Sequence, residues 1–255
     1  MITVDNISKS FGDTQILFDV SATFTEGQVN LIIGASGQGK SVLTKCIVGL
    51  HEIDDGQGAI LYDGRDFSRM NRKERIEVRK EIGMLFQGSA LFDSLTVEEN
   101  IIFPLKMFTD MSQEEMRERA NFCLDRVDII NKNSLFPAEC SGGMQKRIAI
   151  ARAIAMNPKY LFCDEPNSGL DPKTSIVIDN LIKEITYEYN MTTVVITHDM
   201  NSVMEIGDHI IFINEGKKWW QGDNKEIIKT DNQEVVDFVY ASKFMQNLRE
   251  KLINS

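Results

Sequence analysis

Short apolar and alternating runs open the chain and predict β-strands at residues 2–7, 15–24 and 28–33. The third run is continuously apolar and leads into a glycine-rich loop. Beyond that loop, apolar residues recur at helical spacing over 42–50. The pattern therefore predicts a strand, a loop and a helix in that order. A further strand pair is expected around 58–62, ahead of an Asp-Gly turn.

The middle of the chain is dominated by helical patterns, and strands alternate with helices again after residue 156. Further helices are predicted at 71–80, 97–105, 113–127, 143–156 and 176–187. Further strands are predicted at 82–86, 160–163, 193–197, 210–214 and 217–221. These patterns predict an α/β fold with N-terminal antiparallel β-strands and an inserted helical subdomain. Ligands of open α/β sheets bind at the carboxyl ends of the strands.

The tail at 231–255 is predicted to be a separate amphipathic helix, because apolar positions recur at steps of three and four. Its face comprises Val235, Phe238, Ser242, Met245, Leu248 and Leu252. This face can pack on its own domain or on a partner subunit, and the sequence favours neither.

Charge and cysteine usage narrow the class of protein. The 28 Lys and Arg against 38 Asp and Glu give a net charge of −10, which disfavours a nucleic-acid partner. The four cysteines are scattered without metal-ligand spacing, as is typical of reduced thiols in a cytosolic protein. No secretory signal is visible, and no apolar run approaches the ~20 residues that cross a bilayer. We therefore expect membrane contact only through a partner.

The loop after the third strand matches a phosphate-binding pattern, in which glycines let backbone N–H groups surround phosphate oxygens. Lys40 would add a point charge at the phosphates, and the Ser41 hydroxyl would bind Mg²⁺. The following helix directs its positive N-terminus at the anion. The residues expected to contact nucleotide here are Gly34, Ala35, Ser36, Gly37, Gln38, Gly39, Lys40, Ser41 and Val42.

Polar residues follow three other predicted strands. Asp164 and Glu165 end the strand at 160–163, so we expect Asp164 to hold Mg²⁺ and Glu165 to act as general base for the attacking water. His198 follows the strand at 193–197, where it can sense the γ-phosphate. Gln87 ends the strand at 82–86, where its amide can contact Mg²⁺ or the attacking water. The predicted catalytic set is Glu165, His198, Gln87 and Lys40, and the predicted metal ligands are Ser41, Gln87 and Asp164.

A second glycine-rich loop, Ser141-Gly142-Gly143, precedes a strongly helical stretch. One interpretation is a helix cap made by Ser141. The other is an anion site made by the N–H groups at the start of the helix. Both use the same N–H groups, so the two interpretations compete.

Together these motifs resemble the ATPase subunits of ABC transporters, over nearly the whole chain up to about Ile228. The resemblance implies a RecA-like P-loop nucleotide-binding core at 1–87 and 156–230 and a helical subdomain at 88–155, with the tail at 231–255 separate. It also implies a head-to-tail homodimer that holds ATP between the phosphate loop of one copy and the 141–143 loop of the other. Further contacts with ATP are implied for Phe11, which would stack on adenine, and for Gln145 and Asp171. Cys140, Met144 and Asn167 depart from the usual pattern without removing a catalytic group.

A narrower resemblance points to the cargo. Residues 83–97 with Phe103-Pro104-Leu105, and 141–147 with the helix that follows, are similar to the Mce-associated, Mla-type phospholipid-transport ATPases. The partners implied are an MlaE-type permease, an Mce-domain protein and sometimes a STAS-domain subunit, with the ATPase on the cytoplasmic face of the inner membrane. Amino-acid importers share much of the pattern, so an importer ATPase is the alternative. A soluble ABC protein of ribosomes or DNA would need a second cassette or a long coiled coil, and the sequence has neither.

Overall fold

The computed structural model describes residues 1–54, 56, 58–241 and 249. The strands are β1 Ile2–Phe11, β2 Thr14–Phe24, β3 Gln28–Ile33, β4 Ala59–Tyr62, β5 Arg65–Asp66, β6 Ile82–Leu85, β7 Tyr160–Asp164, β8 Thr192–Ile196, β9 His209–Asn214 and β10 Lys217–Gly222. The helices are α1 Lys40–Ile47, α2 Arg72–Lys80, α3 Val97–Phe108, α4 Gln113–Arg126, α5 Gly142–Ile154, α6 Pro172–Glu188, α7 Met200–Ile206, α8 Glu226–Lys229 and α9 Gln233–Val239. No helix among these residues is long and apolar enough to cross a bilayer.

Two sheets form the scaffold. Four strands make an antiparallel sheet in the order β2-β1-β4-β5, and six make the central sheet in the order β10-β9-β3-β8-β7-β6. The central sheet is parallel except for β10, which pairs antiparallel with β9. Because β3, β8, β7 and β6 are adjacent and parallel, the segments that follow them emerge at one edge. These segments carry the phosphate loop, His198, Glu165 and Gln87, and Asp164 is the last residue of β7.

Alternate residues of the central strands face two different cores. Leu31, Leu161 and Val195 pack with the helices α3 to α6, whereas Ile32, Phe162 and Val194 pack with the antiparallel sheet and α1. A strand buried on both faces is continuously apolar, which is the pattern that predicted these strands. The helices α3, α4 and α5 occupy the predicted insertion between β6 and β7.

Two local differences from the sequence predictions have physical causes. Helix α6 begins at Pro172 and not at 176, because Asp171 accepts hydrogen bonds from the backbone N–H groups of Lys173 and Thr174 and proline suits the first helical position. Of the tail, Val235 is fully buried in the core of its own chain and the Phe238 ring lies 5.4 Å from that of Phe212. The predicted tail positions 242, 245, 248 and 252 lie outside the described residues.

Candidate functional site

The phosphate loop connects β3 to α1 and requires glycine at its start. Gly34 has φ +146°, and a Cβ there would lie 2.1 Å from the carbonyl oxygen of Ile213. Any side chain would therefore push the loop away from β9. Residues 35–37 of the loop are exposed on the surface, and α1 begins at Lys40 directly after the loop. The arrangement fits the expected cradle for phosphate oxygens.

Lys40 is 6 % exposed and folds back into the loop. Its Nζ donates to the carbonyl oxygens of Gly34 at 2.8 Å and Ala35 at 2.7 Å. Burial lowers the pKa of this ammonium, and the carboxylates of Glu165 and Asp164 act in the opposite direction. The cation is thus held inside the loop and faces the two acidic residues at the end of β7.

The turn between β9 and β10 supports the phosphate loop from behind. The Gln38 side chain accepts a hydrogen bond from the backbone N–H of Glu215 at 2.5 Å, and the Gln38 carbonyl accepts one from Gly216 at 3.2 Å. The same turn is bonded to β2, because Phe18 donates to the Gly216 carbonyl at 3.0 Å. Gln38 therefore has a structural contact that its predicted role in nucleotide binding did not include.

Glu165 is held on both carboxylate oxygens by residues from the loops that follow β6 and β8. Gln87 Nε2 donates to Oε2 at 2.8 Å, and His198 Nδ1 lies 3.2 Å from Oε1. Its backbone is left-handed, with φ +45°, and is fixed by a hydrogen bond of 3.0 Å to the Ile196 carbonyl. A non-glycine residue persists in this conformation where its surroundings impose it, and such residues cluster at functional sites. Three residues of the predicted catalytic set thus meet around one carboxylate.

The remaining predicted metal ligands suit Mg²⁺. Ser41 is exposed in the first turn of α1, and the half-buried Asp164 ends β7. Burial raises the pKa of Asp164, the neighbouring Glu165 raises it further, and Lys45, Lys40 and Lys146 oppose both. Among the described residues no group of three or more His, Cys, Asp and Glu could hold a metal. A hydroxyl, a carboxylate and the Gln87 amide oxygen fit an ion that takes few protein ligands together with phosphates and water.

The Phe11 ring is the predicted adenine platform, and 45 % of its surface is exposed. His51 packs edge-on against it with ring centroids 5.1 Å apart, and the Lys9 ammonium lies 5.1 Å from the ring centroid. The platform is therefore held in place while one part of it stays accessible for stacking.

The second glycine-rich loop caps α5. Ser141 Oγ accepts a hydrogen bond from the Met144 N–H at 3.3 Å and thereby caps the helix, while the anion site at the same loop stays a prediction. The Gln145 amide donates to the carbonyl oxygens of Pro137 at 2.9 Å and Cys140 at 3.2 Å, which holds the loop from within. A contact between Gln145 and nucleotide stays a prediction. Cys140 is buried, which raises the pKa of its thiol, and it packs there as an apolar residue.

A cavity of about 550 Å³ opens beside this loop, and Ser141, Gly142, Gly143 and Asp171 line it. Among the described residues, none of those at 34–41 lines this cavity. Asp171 bonds the N–H groups of Lys173 and Thr174 and thereby caps α6. The second glycine-rich loop and Asp171 therefore share a cavity that the phosphate loop does not line.

Sequence reasoning missed Lys146, a residue of α5 whose side chain is 4 % exposed. Its ammonium donates to the backbone carbonyl of Gln87. A signal was present, because Lys146 shares a helical face with the fully buried Ala149 and Ile150. Ser168 was not among the predicted site residues, and its hydroxyl lies 3.5 Å from Gln87 Nε2.

Comparison with known proteins identifies the family. Residues 17–168 match the model of the ABC transporter family. The intermembrane phospholipid transport system ATP-binding protein MlaF of Haemophilus influenzae is 36 % identical over 239 residues, which cover 94 % of this chain and 90 % of the relative. The methionine import ATP-binding protein MetN of Clostridioides difficile is 38 % identical over 227 residues, which cover 89 % of this chain and 70 % of the relative.

A solved structure confirms the predicted fold class. It is a dimeric ATP-binding cassette in a post-hydrolysis state bound to ADP and Pi, and it superposes with a TM-score of 0.79 at 32 % identity. The match covers 88 % of this chain and 99 % of that chain. The chain therefore belongs to the ABC transporter family and is the ATPase of such a transporter.

Proposed function

We propose that this ATPase drives a transporter that moves phospholipids between the inner and outer membranes and so maintains lipid asymmetry of the outer membrane. The observation that carries the proposal is the similarity to MlaF, because the two proteins align over nearly their whole lengths. On this proposal the chain binds an MlaE-type permease at the cytoplasmic face of the inner membrane. The complex also contains an Mce-domain protein and, in some systems, a STAS-domain subunit.

The segment after Gln87 supports docking on a permease. Ile101 is fully buried, and Leu91 and Ile102 pack partly against the same core. Phe92 and Phe103 are instead exposed, with ring centroids 4.6 Å apart. Two neighbouring exposed aromatic rings are typical of a surface that accepts an apolar partner, here a cytoplasmic helix of the permease.

The chemistry follows from the groups around Glu165. Its carboxylate would accept the proton of the attacking water, while Gln87 and His198 keep both oxygens in position. Lys40 would balance negative charge on the β- and γ-phosphates. Mg²⁺ held by Ser41, Asp164 and Gln87 would supply further positive charge at those phosphates.

We propose that a head-to-tail homodimer brings the phosphate loop of one copy and the 141–143 loop of the other to one nucleotide. In it, the 141–143 loop of one copy, with Gln145 and Asp171 nearby, would complete the nucleotide site at the phosphate loop and Phe11 of the other. The absence of the phosphate loop from the cavity beside the 141–143 loop supports this proposal, as does the dimeric state of the similar cassette. ATP binding would close the dimer, and hydrolysis would reopen it.

A second candidate is an importer ATPase for methionine, another amino acid or another small solute. MetN favours it, because its identity of 38 % is close to that of MlaF. The ATPase chemistry is the same in the phospholipid transporter and in the importer, so only identification of the cargo distinguishes these two functions.

Purification of the intact complex from native membranes, followed by mass spectrometry of its proteins and small molecules, tests the proposal. We expect bound phospholipid together with an Mce-domain protein. A solute-binding protein with an amino acid or another small solute, and no Mce-domain protein, would establish the importer instead.

A further inference from the structure

Helix α5 connects the second glycine-rich loop to the segment that carries Gln87. Its first turn contains Gly142 and Gly143, and two cations further along the helix reach back to the backbone after β6. Arg152 donates to the carbonyl oxygens of Ser89 at 2.9 Å and Ala90 at 2.8 Å. Lys146 donates to the carbonyl oxygen of Gln87. Three carbonyl groups of one short segment are therefore bound by a single helix.

The backbone of this segment depends on such contacts. Ser89 and Ala90 are both left-handed, with φ +62° and +49°. Residues with a Cβ adopt this region at a cost and persist in it where the surrounding structure over-determines them. The guanidinium of Arg152 satisfies the two carbonyl groups that this conformation turns toward α5. The position of residues 87–90 is thus set by α5.

Burying the Lys146 ammonium to bind one carbonyl group costs desolvation free energy. Lys146 is 4 % exposed and forms no salt bridge with the residues that the structure describes. Burial lowers the pKa of its ammonium, and the nearby Cys163, Asp164 and Glu165 act in the opposite direction. An apolar side chain of similar length would fill the same space without this desolvation. The cation is therefore better explained by its contact with Gln87 than by packing.

Gln87 is bound at both ends. Lys146 holds its backbone carbonyl, and its side-chain amide donates to Glu165 at 2.8 Å. A movement of α5 relative to the central sheet would move the Gln87 backbone and lengthen the bond to Glu165. The helix that begins at the 141–143 loop is thereby connected to the carboxylate of the same chain through two hydrogen bonds.

We propose that Lys146 is a positioning residue that sets the orientation of Glu165 through Gln87, and so couples the loop at 141–143 to hydrolysis in its own subunit. The proposal rests on the role proposed above for Glu165 as general base. It adds a residue from outside the predicted nucleotide and metal contacts to the groups that determine turnover.

The variant Lys146→Met tests this in the full-length chain, with steady-state hydrolysis of Mg-ATP and the affinity for a fluorescent ATP analogue as readouts. We expect kcat to fall about tenfold, because a small misplacement of a catalytic group costs rate rather than binding. The KM for ATP and the analogue affinity should stay within about twofold of the parent values. Lys146→Arg keeps a cation and should recover most of the lost kcat.

Lys183→Met is the matched control, because it removes another lysine that donates to a backbone carbonyl, that of Glu205 at 2.9 Å. We expect this control to leave kcat unchanged. An unchanged kcat in Lys146→Met, an equal loss of kcat and analogue affinity, no recovery in Lys146→Arg, or a similar loss in Lys183→Met would each overturn the proposal. Glu165→Gln tests separately the assumption that Glu165 is the general base. Turnover that survives in that variant would contradict the general-base role, and the effect of Lys146→Met on kcat could still be interpreted by itself.

Discussion

At the scale of single residues, the site is organised around the Glu165 carboxylate. The sequence predicted the carboxylate and its two neighbours, because Glu165, Gln87 and His198 each follow an apolar strand. It could not predict their contacts. Those depend on the order of β6, β7 and β8 in the sheet and on the left-handed backbone at Glu165. Lys146 escaped prediction for a similar reason, since its partner is a backbone carbonyl 59 positions away in the sequence.

Replacement of Glu165 by glutamine tests its role as general base. The amide keeps an acceptor for Gln87 but cannot take a proton from water, so we expect turnover to fall by about a hundredfold or more. The affinity for ATP should stay close to that of the parent chain, and ATP should hold the variant as a closed dimer. The measurements are phosphate release, labelled-ATP titration and size-exclusion chromatography with Mg-ATP.

Glu188→Gln provides the comparison, since it changes a surface carboxylate that pairs with Arg126 at 2.7 Å. Its ATPase activity should equal that of the parent chain. Near-normal hydrolysis by Glu165→Gln would remove the general-base assignment.

At the scale of elements, the phosphate loop is supported by the β9–β10 hairpin as well as by the strand and helix that flank it. The motif predicted β3, the loop and α1 from local pattern alone. The strands at 210–214 and 217–221 were also predicted, but the contact of the turn between them with Gln38 was not, because the two segments are 177 positions apart. Helix α6 begins at Pro172 because Asp171 caps it there. The predicted start at 176 came from the apolar pattern, which begins after this cap.

Gly216→Ala tests this support. Gly216 has φ +71°, and an added Cβ would lie 2.0 Å from the Ile16 carbonyl oxygen, so the hairpin must move away from β2 and from Gln38. We expect a loss of about 2 kcal/mol or more in the free energy of unfolding, with a fall of about 5 °C in Tm. The affinity for ATP should weaken in the same variant. Thermal denaturation and labelled-ATP titration are the measurements.

Gly12→Ala is the control that separates the steric clash of an added Cβ from the cost of a left-handed backbone at alanine. Gly12 has φ +58°, but nothing lies within 4 Å of an added Cβ. It should lose only about 1 kcal/mol and bind ATP normally. Equal effects of the two substitutions would show that the hairpin does not support the loop.

At the scale of the whole molecule, the two glycine-rich loops of one chain serve two nucleotide sites in the proposed dimer. The sequence predicted this arrangement only through its resemblance to a family, because a pattern in one chain does not reveal what a second copy contributes. The structure adds that the 141–143 loop and Asp171 line one cavity, which the phosphate loop does not line. It also shows Val235 and Phe238 packed on their own chain, which for these positions favours the first of the two predicted arrangements.

The most direct test of the shared site mixes two inactive variants. Lys40→Ala disables the phosphate loop, and Ser141→Arg disables the second loop, so each homodimer should be inactive. A mixed dimer pairs the intact phosphate loop of one chain with the intact second loop of the other. Steady-state ATPase activity of the mixture should therefore rise well above the sum of the separate variants, toward about a quarter of the parent activity for random pairing in a symmetric dimer. If activity in the mixture does not exceed that sum although mixed dimers form, each chain does not complete the other's site.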